Sequence, residues 1–114
     1  MPCIQITASV GIDDNQKKQL KARFGKAIEI FPGKSERWLM LVTEGGKSVS
    51  LAGDDVTPAA WVELSLVGKS DRVHFERMTA ETCAILEEVL AIRPDRVYVK
   101  YEEVTHWGWN GGNF

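Results

Sequence analysis

The chain has 114 residues and a formal net charge of −2, which is less than one typical domain of about 150 residues, so a second independent domain is not expected. At 44% hydrophobic and 26% charged it can bury a core without staples. Its 14 basic and 16 acidic side chains, with no run of five or six like charges, argue against a nucleic-acid or membrane partner.

The elements follow in chain order. Ile4, Ile6 and Val10 alternate with polar neighbours, the period-2 mark of a strand. Asp13 and Gln16 are spaced as a capping box, and Leu20, Phe24, Ala27, Ile28 and Phe31 recur at helical intervals. This predicts a helix from about 14 to 30, stopped by Pro32-Gly33. The apolar run Trp38-Leu39-Met40-Leu41-Val42 predicts a second strand covered on both sides. Val62, Leu64 and Leu66 alternate with Glu63 and Ser65 as a third strand ending at Gly68. Ser70 is placed to cap a second helix with inner positions Phe75, Met78, Thr82, Ile85, Leu86 and Val89, ending before Pro94. Arg96 to Tyr101 is a fourth strand, with Val97, Val99 and Tyr101 on one face and Tyr98 and Lys100 on the other.

These elements predict one α+β domain over 1–114, made of two β-α-β halves at about 1–55 and 56–114. The sheet has four strands, and both helices cover the same face of it. Trp61, Tyr98 and the second strand then imply that the other face is covered by further copies of the chain. The tail from Trp107 to Phe114 sets three large aromatics on a glycine-rich frame that must pack on a neighbour or a ligand.

Most chemical motifs are missing. Gly-Lys-Ser occurs at 33–35, 46–48 and 68–70, but Ile28, Leu41 and Glu63 stand where a phosphate loop needs its first glycine. His74 and His106 have no ligand-spaced partners, and no nucleophile elbow is present. Cys3 and Cys83 are lone thiols, too few for a disulfide scaffold or a cysteine zinc site. No metal or organic cofactor is expected. The first residues lack a signal-peptide pattern, which makes the cytoplasm the default location.

Pro2 is the exception. Removal of Met1 would expose a secondary amine at the start of a strand. An α-amino group titrates at about 8 in the open, and desolvation disfavours its cation, so an apolar pocket would make Pro2 a neutral base near pH 7. Retention of Met1 would make that nitrogen an amide and block such chemistry.

The whole pattern resembles the macrophage migration inhibitory factor family of the tautomerase superfamily. The resemblance rests on the Met1-Pro2 strand, Gly33-Lys34, Ser65 to Lys69, Pro94 to Val99, and Trp107 to Phe114. It implies a homotrimer around a central channel and keto–enol tautomerase chemistry at subunit interfaces. The substrate would be a phenylpyruvate-like 2-keto acid, with no cofactor. It further implies Pro2 as catalytic base, Lys34 on the substrate carboxylate and the Val67 amide beside the substrate. Tyr98 would come from a neighbouring subunit, and Trp109 and Phe114 would line the pocket mouth.

Two departures from the resembled pattern matter. Lys100 replaces an asparagine of the mammalian pocket, where it would add positive charge and select an acidic distal group, unless it pairs with Glu63 or Glu102. Ala59 and Val62 stand in place of a CxxC pair, so thiol–disulfide exchange has no residues to run on. Alternatives to the tautomerase are a cytokine-like protein that reaches a host receptor by non-classical secretion, and an isomerase of unsaturated dicarboxylates.

Overall fold

The computed structural model describes residues 1–114. Its elements are β1 (Pro2–Ala8), α1 (Asp14–Ala27), β2 (Met40–Glu44), β3 (Ala60–Val67), α2 (Arg72–Leu90) and β4 (Val97–Val104), followed by the short strands β5 (Gly108–Trp109) and β6 (Gly112–Asn113). The main sheet has the order β2-β1-β3-β4. Within each half the pairing is parallel, β1 with β2 and β3 with β4, and β1 meets β3 antiparallel in the centre. The fold is therefore α+β with one mixed four-stranded sheet and two helices.

Alternation decides which face is buried. Ile4, Ile6 and Ala8 of β1, Ala60, Val62, Leu64 and Leu66 of β3 and Val97 of β4 are buried with Leu20 and Phe24 of α1 and Met78, Ile85 and Leu86 of α2. Sheet positions one residue out of phase, such as Gln5, Trp61, Tyr98 and Lys100, point away from that core. A one-residue slip of either central strand would turn apolar side chains to the polar face, so the hydrophobic pattern sets the register.

The local signals act as the sequence indicates, with instructive shifts. Asp13 and Gln16 form the reciprocal capping box of α1. This helix stops at Ala27 and tightens into a 3₁₀ turn over Ile28–Ile30. The cap of α2 is Asp71, one residue after the expected Ser70, whose hydroxyl instead lies 3.0 Å from His74 Nδ1. Ala91 ends α2 in the left-handed region at φ 55°.

The second strand is the main correction. Trp38 belongs to a 3₁₀ turn, Glu36–Trp38, closed by Trp38 N–H on the Ser35 carbonyl at 3.2 Å and Leu39 N–H on Glu36 at 3.1 Å. The strand begins only at Met40 and lies at the sheet edge with one partner; within the single chain its two faces are not both covered, since Met40 is 63% exposed. An apolar run has no period, and here its first residue serves a cavity and not the sheet.

Two glycine positions are demanded by geometry. A Cβ on Gly45 would lie 2.8 Å from both the Val10 carbonyl oxygen and the Ile12 nitrogen, where the chain after β2 crosses the end of β1. In the tail, Asn110 and Gly111 have φ of 54° and 78°, the paired positive values of a two-residue type I′ hairpin joining β5 to β6.

Candidate functional site

The site gathers where the first strand starts and the third ends. Pro2 faces Leu66 in the antiparallel register. One step further out, the Val67 N–H donates to the Met1 carbonyl at 3.1 Å. Lys34 reaches the same spot from the loop after α1, its Nζ donating to the Val67 carbonyl at 3.0 Å. Gly33, at φ 79°, supplies the left-handed turn that aims this loop.

These groups bound a cavity of about 330 Å³ lined by Met1, Gly33, Lys34, Trp38, Val67 and Phe114. Met1 and Trp38 also line a larger groove of about 750 Å³ that takes in Pro2, Arg37, Met40 and Trp109. Its aromatic wall is continuous. Trp38 meets Trp109 edge to face at 5.3 Å, Trp109 stacks with Phe114 at 6.3 Å, and the Arg37 guanidinium lies over the Trp38 ring at 5.2 Å.

The electrostatics favour a neutral amine here. Burial lowers the pKa of the Met1 α-amino group from its ordinary value of 8.0, and the Lys34 ammonium lowers it further by charge and hydrogen bonding. Lys34 itself pairs with no carboxylate, whereas Lys17, Lys47 and Lys100 each meet one within 3.9 Å. Apolar walls, a depressed amine and an unpaired cation suit a molecule with a carboxylate at one end and an apolar body at the other.

Within one chain, Pro2, Lys34, Val67, Trp109 and Phe114 come together, but Tyr98 and Lys100 do not join them. Tyr98 pairs with Trp61 on β3, five residues from the Leu66 that faces Pro2. At about 3.3 Å per residue that is about 17 Å along the strand. Tyr98 is 58% exposed on the open face. Lys100 shares this face, its Nζ 2.9 Å from Glu102 Oε1, and this hydrogen bond raises its pKa, with Glu63 adding to the effect. Of the two arrangements open to Lys100, the chain shows the ion pair.

Sequence reasoning missed Trp38 and Arg37. The signal lay in Ser35-Glu36-Arg37, a polar stretch that breaks up a strand start and favours a turn before Trp38. Cys3 also lines the groove, but burial pushes its thiol pKa up, and burial with Glu87 does the same to Cys83, so neither is an activated thiolate. No three His, Cys, Asp or Glu side chains converge on a metal position, and no helix is long and apolar enough to cross a membrane.

Comparison with known proteins agrees along the whole length. The family model for macrophage migration inhibitory factor matches residues 1–114. The MIF2 structure of Leishmania major is 32% identical with a TM-score of 0.93, covering 100% of this chain and 97% of that one. A macrophage migration inhibitory factor homologue from Prochlorococcus marinus is 30% identical at a TM-score of 0.89, covering 98% of both chains. The Entamoeba histolytica protein, at 21% identity, shares the fold with a TM-score of 0.87 over 99% of this chain and 98% of that one. With two relatives at this identity end to end, and with the lysine, the first strand and the aromatic tail meeting at one cavity, the chain belongs to the macrophage migration inhibitory factor family.

Proposed function

We propose that the protein is a keto–enol tautomerase of phenylpyruvate-like 2-keto acids, with the Pro2 amine as base once Met1 has been removed. The observation that carries this reading is the position of the chain's amino end: inside an apolar cavity, beside an unpaired lysine, with an amine pKa below the ordinary value.

The chemistry follows from that placement. The amine must be neutral to accept a proton; burial and Lys34 act in that direction on the Met1 amine, and would act likewise on the Pro2 nitrogen that becomes the chain end. Pro2 nitrogen takes the proton from the carbon next to the keto group; the electron pair of that C–H bond forms the new C=C bond, and the π pair of the C=O bond moves onto the carbonyl oxygen. The Pro2 cation then returns a proton to that oxygen, giving the enol and restoring the base. Lys34 holds the substrate carboxylate. The Val67 N–H, freed of the Met1 carbonyl, becomes a donor for a substrate oxygen. Trp38, Trp109 and Phe114 offer the ring a slot.

The same reading assigns the open sheet face to a homotrimer around a channel, in which Tyr98 and Lys100 approach the site of an adjacent copy. The Lys100–Glu102 pair weighs against the isomerase of unsaturated dicarboxylates, because the second cation that chemistry would use already has a carboxylate partner on its own strand.

Intact mass of the purified protein, taken beside phenylpyruvate enolisation by wild type and Pro2→Gly, tests the assignment. Pro2→Gly leaves a primary amine at the same place and so loses rate only in part, whereas protein that retains Met1 holds that nitrogen as an amide, lacks the base and loses about 10²–10⁴-fold. Equal rates in the trimmed protein and in protein shown by its mass to retain Met1 would falsify it.

A further inference from the structure

Behind Lys34 lies a second, smaller cavity of about 160 Å³, lined by Lys34, Lys69, Ser70, Asp71 and His74 over a floor that includes Phe31 and Leu66. A single water needs only about 10–15 Å³, and drug-sized ligands occupy about 300 Å³ or more. The space therefore suits a small polyatomic ion or the charged end of a larger molecule.

Its walls are rich in donors. Lys34 gives one N–H to the Val67 carbonyl and has two left. Lys69 has no carboxylate partner and no hydrogen bond in the structure, and Lys34 has no carboxylate either. Ser70 Oγ and His74 Nδ1 are 3.0 Å apart, a contact that fixes the ring at the cavity wall and leaves Nε2 without a protein partner. Asp71 is the acidic member of the lining, and Glu103 accepts the Ser70 N–H at 2.8 Å just outside it. The lining itself carries two ammonium groups against one carboxylate, and the Glu103 carboxylate at its rim is already engaged by the Ser70 N–H.

We infer that this cavity binds a phosphate-class dianion, and that such an anion competes with the 2-keto acid because both draw on the Lys34 ammonium. The inference rests on the tautomerase reading only for its functional consequence. Separate donors arranged around a small space match a tetrahedral oxyanion, which carries about −1.5 to −2 charge at neutral pH, better than a single carboxylate. Lys34 borders both the 330 Å³ cavity and this one. Its Nζ cannot face both occupants, so anion binding raises KM for the keto acid and leaves kcat unchanged.

The test uses trimmed protein at constant ionic strength. Line broadening of the ³¹P signal is measured for inorganic phosphate and for glycerol phosphate, in wild type, Lys69→Ala, His74→Gln and Pro2→Gly. Phenylpyruvate enolisation is followed with and without inorganic phosphate. Saturable broadening is expected in wild type and in Pro2→Gly, weakened about tenfold in Lys69→Ala, as the loss of one charge-assisted hydrogen bond implies. Lys69→Ala should keep its phosphate-free KM within about twofold while losing the phosphate inhibition. The ratio of the two ligands' affinities tells free phosphate from a phosphate monoester. Broadening unchanged in Lys69→Ala, or inhibition reproduced by sodium chloride, overturns the anion site. Phosphate binding by a wild type that does not enolise phenylpyruvate would keep the site and remove the tautomerase reading; enolisation without phosphate binding or competition does the reverse.

Discussion

Replacing Lys34 by methionine separates charge from packing, because the apolar stem is kept and only the ammonium is lost. In the structure one of the three N–H groups is committed to the Val67 carbonyl at 3.0 Å, and no carboxylate competes for the others. A substrate carboxylate therefore gains at least one charge-assisted hydrogen bond, worth about 2 kcal/mol. Its loss lowers kcat/KM for phenylpyruvate by about 30-fold. The methyl ester, which brings no carboxylate, should lose less than about threefold. A second readout follows from the amine. Lys34 lowers the pKa of the Met1 amine and would do the same to the Pro2 amine that replaces it; the reaction needs the neutral form, so activity rises as pH passes through that pKa. Removing the cation lets the pKa rise, and the acid limb of the kcat/KM profile moves to higher pH. Steady-state kinetics on both substrates between about pH 5 and 9 measure both effects. An equal loss for acid and ester, or a limb that stays or moves down, refutes the role assigned to Lys34.

Three further outcomes can be checked independently. Trp38→Ala removes one wall of the 330 Å³ cavity and its edge-to-face partner on Trp109, and should raise KM for phenylpyruvate by about 3–10-fold while sparing a small 2-keto acid such as pyruvate. Thr82, 1% exposed, has a hydroxyl with no hydrogen-bond partner, so Thr82→Val should stabilise by about 1 kcal/mol, seen as a Tm about 4 °C higher at matched protein concentration. Asp54 accepts the N–H groups of Val56 and Thr57, and these bonds, Thr57's first, hold its carboxyl at about 2. Because that pKa is depressed, the contribution is present above the unfolded value of about 3.9 and is lost as pH falls through about 2. Asp54→Asn should therefore flatten the acid side of the denaturation midpoint between those two pH values.

What could be read in advance follows from the range over which each signal acts. The capping box at Asp13 and Gln16 and the alternation in β3 depend on neighbours two to four residues away, and the structure repeats them. Trp38 is different, since a strand and a short turn make equal use of an apolar run, and only the cavity beyond it decides. Lys34 shows the limit of motif reading. It shares Gly-Lys-Ser with Lys47 and Lys69, yet Lys47 pairs with Glu44 while Lys34 reaches across the fold to residue 67. Long-range register makes the difference, and no local pattern encodes it. Tyr98 and Lys100 were assigned through family resemblance, and the single chain holds them on the far part of the open face.

The hydrogen bond from Val67 to the Met1 carbonyl couples processing to ligand response. While Met1 is present, the donor is satisfied by the chain itself. Once that residue is cleaved, the amide must turn to water or to a guest, and a half-sheltered N–H without a partner is unfavourable by about 1–3 kcal/mol. A guest that supplies an oxygen relieves this, and binding to the folded state raises Tm with the logarithm of ligand concentration above its Kd. Ligand-induced thermal shift therefore reports on methionine excision: the cleaved protein should respond to a 2-keto acid, and a sample still carrying Met1 should not.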